Sequence, residues 1–372
     1  MKKTRLNFVD LMRGLAMIVM IEVHVVNSLM NPALRNETWF YFVNFINGMV
    51  APSFVFISGF AFMLGSRSKL AEFRTFKYAF WKQLGRIMLI WFLGYMLHIP
   101  FFSKYKCINI ATTDHWMNFL GVDVLQCIAI GLLLIFILRL AIKSDKVFIA
   151  AVILLGLGAV IPAAKIYTID FQQHLPLFMA MYITPIYYTN FPVFPWFGFM
   201  AAGILTAWFF MKSREKGSEH LFIKRLLISG TLLAVTAIPL MFYLMIPDVR
   251  PNILFFAGRL GVVFIILTGC YYYCAWRDEL SPIILYPSRE SLAVYFMHLQ
   301  FLHREVWWGK SIITMSGQSL GFVTCLIISA GVVLLMLPMA RVWNYYKTKY
   351  NYFGRIAVAV MFTVGGIVFM MR

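Results

Sequence analysis

Four ionisable residues fall inside one apolar run near the start of the chain. They are Asp10, Arg13, Glu22 and His24 in LNFVDLMRGLAMIVMIEVHVVNSLM, residues 6–30. Near the centre of a bilayer each charged one costs about 2.5–3.5 kcal/mol on insertion scales, so such residues mark chemistry or need partners. His24 lies eleven residues beyond Arg13, a rise of about 16 Å at about 1.5 Å per residue. Eleven steps of about 100° return nearly to the starting angle. Asp10, Arg13, Met17 and His24 therefore share a stripe, and Glu22 lies on another face. An imidazole can take a proton from a hydroxyl or amine near neutral pH. A guanidinium forks onto phosphate oxygens. One helical stripe thus carries a phosphate-type cation at one end and a base at the other.

The rest of the sequence repeats that division. At the depth of His24 stand Asp123 and Gln126, spaced i, i+3 at the start of a span, and Arg259, about two turns into another. Ser291, Tyr295 and His298 join them along one face at i, i+4, i+7. At the depth of Arg13 stand Lys82, Arg86, Arg289 and Lys347. Cations at one face suit a phosphate-bearing donor, and the His, Asp, Gln and Arg group at the other suits proton transfer to an acceptor. Gln126, Tyr295 and Arg259 are the candidate donors to a developing oxyanion. Asp123 is a candidate to orient an imidazole or take a sugar hydroxyl. Each has a plainer alternative. Asp10 and Arg13 can neutralise one another, Lys82 and Arg86 can simply obey the positive-inside rule, and Ser291, Tyr295 and His298 can be interhelical glue.

The elements that position these residues are transmembrane helices. Of the 372 residues 61% are hydrophobic and 13% charged, against about 45–50% and about 25% in a soluble domain. Apolar runs of roughly 20 residues match the hydrocarbon thickness. They predict an all-α, polytopic bundle of about eleven spans, ten at the fewest, in a single domain over 1–372. The spans are 9–30, 40–65, 79–100, 120–140, 147–163, 192–211, 223–246, 252–275, 283–303, 318–341 and 352–371. FPVFPWFG (191–198) puts two prolines and Trp196 at the start of one, predicting an interrupted helix. The longest connection, 164–191, is too aromatic for a flexible linker and is expected to form a partly embedded cap. The aromatic groups Trp39–Phe42 and Trp307–Trp308 read as interfacial belts. The first span is expected to be retained, because no small-residue cleavage site follows it. Cys107, Cys127, Cys270, Cys274 and Cys325 show no paired framework or metal spacing.

The net charge of +18 has a topological explanation before a nucleic-acid one, since Lys and Arg gather in cytoplasmic loops. With the N-terminus cytoplasmic, 23 of the 33 Lys and Arg face that side and 8 the other. The stretch RLAIKSDK, with Arg139, counts among the cytoplasmic loops. Arg13 and Arg259 remain inside spans. An odd span count then places the C-terminus outside.

The opening RLNFVDLMRGLAMIVMIEVH resembles that of membrane acyltransferases related to the heparan-alpha-glucosaminide N-acetyltransferase catalytic domain, in a wider superfamily with the acyltransferase-3 proteins. APSFVFISGFAF (51–62), GRIMLIWFLGYMLHIP (85–100), DVLQCIAIGLLL (123–134), FPVFPWFGFMAAG (191–203) and SRESLAVYFMHLQFL (288–302) are similar to later blocks in the same order. The resemblance implies transfer of an acetyl group from cytosolic acetyl-CoA to a hydroxyl or amine of a sugar or glycan outside the cytoplasm. Carried over, His24 matches the histidine regarded as catalytic in acyltransferase-3 proteins, and Arg13 the arginine near the donor. Lys82 and Arg86 in KQLGR imperfectly match an R-x-x-R motif. The lysosomal branch uses a histidine in the loop after the first helix, and here NSLMNPALRNETW has none.

The expected site therefore comprises His24, Asp123, Gln126 and His298 for catalysis. Asp10, Arg13, Lys82, Arg86, Arg259 and Tyr295 are expected to hold the acyl-CoA. The expected setting is a multi-pass protein of a bacterial inner membrane, with acyl-CoA, a glycan acceptor and the bilayer as partners, no nucleic acid and no metal, and room for a homodimer. Both direct transfer and an acetyl-histidine intermediate fit these residues. The alternative is a transporter or flippase, which would favour paired broken helices in internal repeats; only one interrupted start is visible.

Overall fold

The computed structural model describes residues 6–244, 252–277, 279–305, 310–350 and 352–372. Trp307, Trp308 and Arg250, named or counted above from the sequence, lie outside them, as do Lys2, Lys3 and Arg5. The described residues are helical throughout, joined by turns and short helices, with no strand. Seven helices among them are long and apolar enough to cross a bilayer. The protein is a multi-pass integral membrane protein, because only helices satisfy their backbone groups locally in lipid.

The chain folds as two compact units, each assembled from segments distant in sequence. The first comprises Met1–Val50, Ile99–Trp116 and Tyr273–Arg372. Its centre is the unbroken helix Asn7–Leu29, which packs against Pro282–Arg289, Ser291–His303 and Phe322–Lys349. Gly14 lets one of these helices, Pro282–Arg289, approach closely. A Cβ there would sit 2.5 Å from Ile284 Cγ2 and 2.6 Å from the Ile284 carbonyl oxygen. The far end of the helix is pinned by backbone bonds, from Asn31 N to Leu320 O at 2.9 Å and from Leu320 N to Leu29 O at 3.2 Å.

The second unit comprises Ala51–His98 and Met117–Tyr272. Helix Val193–Glu215 packs on Asp145–Val160, Val124–Ala141 and Glu219–Tyr243, and Tyr78–Leu97 on Val124–Ala141. Two glycines let backbones touch. A Cβ on Gly203 would lie 2.0 Å from Phe56 O, and one on Gly59 2.1 Å from Met200 O. This is the small-residue packing expected where apolar burial gives no net drive between helices.

Several expected boundaries shift for local reasons. The span expected at 283–303 is two helices, Pro282–Arg289 and Ser291–His303, separated at Glu290 (φ −113°, ψ 31°). The span expected at 40–65 is Thr38–Asn47 followed by Val50–Ser66. The interrupted start at 191–198 is present, with Phe194 at φ −91°, ψ 124° inside Val193–Glu215. Segment 164–191 holds only short turns of helix. It is tied down by Asn190 N and Phe191 N on Val122 O and by Val193 N on Tyr182 O, with Met181 and Tyr187 buried.

Arg139, counted on the cytoplasmic side, lies in the last turn of the helix Val124–Ala141, within the span expected at 120–140. Arg139 is 1% exposed inside Val124–Ala141, with its guanidinium over the Phe148 ring and one nitrogen on Asp145.

Candidate active site

In the first unit the opening helix presents His24 to His298 on Ser291–His303. His24 Nδ1 lies 2.8 Å from His298 Nε2, and His298 Nδ1 lies 2.7 Å from the Val294 carbonyl oxygen. The two rings stack, with centroids 5.0 Å apart. Tyr295 closes edge-on against both, 5.8 Å from His24 and 5.6 Å from His298. His298 is fully buried, Tyr295 is 3% exposed, and His24 is half-buried.

This chain of contacts fixes the tautomers. A carbonyl oxygen only accepts, so His298 Nδ1 carries a hydrogen. In the neutral ring His298 Nε2 is then an acceptor, and His24 Nδ1 must donate to it. His24 Nε2 is left with the lone pair. A proton arriving at Nε2 leaves the Nδ1 bond intact and makes it charge-assisted, hence stronger. The arrangement is that of a base held by a second imidazole, itself held by the backbone.

Toward the start of the same helix, Arg13 Nη1 meets Asp10 Oδ1 at 3.3 Å, with Asp10 almost buried and Arg13 partly exposed. Because the helix is unbroken from Asn7 to Leu29, Arg13 and His24 keep their rise of about 16 Å. Glu22, on another face, has Asn47 Nδ2 at 3.5 Å. Lys347, expected among the inner cations, pairs with the buried Glu290, which also accepts from Asn344 Nδ2 at 2.7 Å.

In the second unit Asp123 and Gln126 first of all cap a helix. Asp123 Oδ1 accepts from Val124 N at 2.7 Å, and Gln126 Oε1 accepts from Asp123 N at 3.3 Å. Such a box satisfies orphan amides at a helix start. Asp123 also faces an imidazole, His98, which the sequence reasoning misses. Asp123 Oδ2 is 3.7 Å from His98 Nε2, and His98 Nδ1 is 2.9 Å from Gly94 O. A signal exists, since His98 stands seven residues after Trp91 and four after Gly94, on one helical face. Lys82 and Arg86 are exposed one turn apart on Tyr78–Leu97, Lys82 over the Tyr78 ring at 5.4 Å. Arg259 is 7% exposed and stacks on Phe255 with its guanidinium carbon 4.4 Å from the ring centre.

Of the ten residues expected at the site, the structure joins His24, Tyr295 and His298 in one cluster, Asp10 with Arg13, and Asp123 with Gln126. The family model described as heparan-alpha-glucosaminide N-acetyltransferase, catalytic, matches residues 5–247, more than half of the chain. That stretch contains His24, Arg13, Asp123 and Gln126, while Tyr295 and His298 lie beyond it. No curated protein matches the chain.

Proposed function

Since the chain belongs to the heparan-alpha-glucosaminide N-acetyltransferase catalytic family, we propose that it transfers an acetyl group from acetyl-CoA to a hydroxyl or amine of a sugar, across the membrane from the cytosol. The observation that carries this reading is the Val294–His298–His24 hydrogen-bond chain, which leaves a lone pair on His24 Nε2. The resemblance of the opening helix to acyltransferase-3 proteins, with His24 at their histidine position, supports the same assignment.

In this proposal His24 Nε2 takes the proton of the acceptor hydroxyl or amine as that atom attacks the thioester carbonyl. When the carbon–sulfur bond breaks, the proton passes from Nε2 to the departing thiolate. His298 acts through His24 as a positioning residue, holding it in the reactive tautomer. Tyr295 walls both rings. Arg13, oriented by Asp10, is the proposed contact for the donor's phosphates. Lys82, Arg86 and Arg259 are further proposed donor contacts, on sequence grounds alone.

The test is acetyl-CoA turnover by purified full-length protein against a panel of amino sugars and hydroxyl-bearing oligosaccharides. His24→Ala should cut turnover by about 10²–10⁴-fold, the usual worth of a general base, and leave acetyl-CoA affinity near wild type. Undiminished turnover in that variant removes His24 as the base. No acetyl transfer to any panel member by wild type removes the reaction itself. Solute uptake into proteoliposomes free of acetyl-CoA would favour the transporter instead.

A further inference from the structure

One face of helix Tyr78–Leu97 carries Trp91, Gly94 and Tyr95, continues to His98 just past its end at i, i+3, i+4, i+7, and meets Asp123 and Gln126 at the start of Val124–Ala141. Gly94 makes the approach possible, since a Cβ there would lie 2.6 Å from Gln126 Oε1. Tyr182, from the 164–191 segment, completes the group. It accepts from Trp91 Nε1 at 2.8 Å and shares a 2.9 Å hydroxyl contact with Tyr95. All of these residues belong to the second unit.

The polar groups of this cluster do not satisfy one another. Trp91, Tyr95 and Tyr182 bring three hydrogens and use two, so one phenolic hydrogen is uncommitted whichever hydroxyl donates. Gln126 is fully buried and its amide is oriented by Asp123 N on Oε1, yet Nε2 meets no acceptor among the described residues. Asp123 Oδ2 and His98 Nε2 stand 3.7 Å apart, beyond a hydrogen bond. A buried donor without a partner keeps its full desolvation cost, so a site that leaves one unmet calls for a ligand. The unmet groups include both donors and acceptors, near the partly exposed Trp91, Tyr95 and Tyr182 rings.

That pattern selects among ligand classes. An anion would face the Asp123 carboxylate. A lipid tail would leave Gln126 Nε2 and the phenolic hydrogen unmet. A sugar offers hydroxyls that both donate and accept, together with an apolar ring face that packs on indole or phenol. We propose that Trp91, Tyr95, His98, Asp123, Gln126 and Tyr182 form a binding site for a neutral or amino sugar. Asp123 and His98 hold adjacent hydroxyls, Gln126 Nε2 donates to one of them, and the Trp91 ring lies against the sugar face. Identifying that sugar as the acetyl acceptor rests on the acetyltransferase reading; the binding site itself does not.

Saturation-transfer NMR on the full-length detergent-solubilised protein tests it, with methyl β-glucoside and glucosamine as probes. Wild type and His24→Ala should both transfer saturation to the ring protons of at least one probe. Trp91→Leu and Asp123→Ser should weaken the apparent Kd about tenfold or more, the equivalent of one good polar or aromatic contact. Serine is chosen because it keeps the helix cap while removing the carboxylate, so folding is preserved. Absence of transfer to both probes in wild type, or unchanged affinity in both variants, overturns the site. Binding with this dependence but no acetyl transfer sinks the enzymatic reading and leaves the site standing. Acetyl transfer with an unaltered acceptor KM in Trp91→Leu does the reverse.

Discussion

His24 can act as a base only while its Nε2 lone pair is free, and a single hydrogen bond to His298 decides that. Removing the second ring frees His24 to place its hydrogen on either nitrogen, with the reactive atom protonated in one of them. His298→Ala should therefore lower kcat by about tenfold to a hundredfold, less than loss of the base itself, with acetyl-CoA KM little changed. His298→Gln offers an amide oxygen as acceptor and should recover part of the loss. Equal, small effects of both substitutions on kcat, with a lowered melting temperature, would make His298 a packing residue. Both histidines are visible in the sequence as polar residues at one expected depth. Their contact is not, because they are 274 positions apart and no local spacing joins them. His98 is within reach of the same helical arithmetic. It escapes notice because HIP closes the apolar run and reads as a helix end.

At the scale of elements, the histidine chain depends on how Pro282–Arg289 and Ser291–His303 are set against the first helix. Two features fix that setting. Gly14 admits Ile284 at a distance no side chain would allow, with a backbone oxygen as one of the atoms in the way. Gly14→Ala should therefore cost about 1–3 kcal/mol by overpacking, measured as a lower melting temperature in detergent. A melting temperature equal to wild type would show that the helices separate there without penalty. At the break between the two helices, Glu290 is 4% exposed and holds Lys347 and Asn344. Glu290→Ala leaves both donors unmet. Lys347 is 42% exposed, so water replaces part of the loss, and the expected cost is about 1–3 kcal/mol rather than the about 3–5 kcal/mol of a fully buried pair. In a double-mutant cycle with Lys347→Met, a coupling near zero would remove the ion pair as the cause. The helices themselves are legible from apolar run length. The break at Glu290 does leave a local mark, the proline and polar run PSRES (287–291), which a count of apolar run length passes over; its pairing partner 57 residues away leaves none. What the sequence does not show at Arg139 is its shelter, because the Phe148 ring over its guanidinium arrives only with the next helix.

For the whole molecule the decisive quantity is which way the first helix points, because it determines on which face a base at His24 would meet its acceptor. The asymmetry of 23 against 8 Lys and Arg is an electrostatic argument about insertion, since positive loops resist translocation. It predicts the N-terminus and the basic stretch KSREKGSEHLFIKR on the cytoplasmic side and Arg372 on the other. Five expected spans separate that stretch from the C-terminus, an odd number, so the two points should report opposite faces. Fluorescent-protein and alkaline-phosphatase fusions after Lys216 and after Arg372, expressed in a bacterial host, read this directly. Fluorescence should appear only at Lys216 and phosphatase activity only at Arg372. The same face at both positions would mean an even number of crossings between Lys216 and Arg372, and the separation of Pro282–Arg289 from Ser291–His303 marks where one expected crossing would fail. Opposite faces in the inverse sense would put His24 toward the cytosol and Arg13 away from it. A cytosolic phosphate-bearing donor could not then use the cation end of the stripe, and the transmembrane form of the transfer would fall even if His24 remained the base.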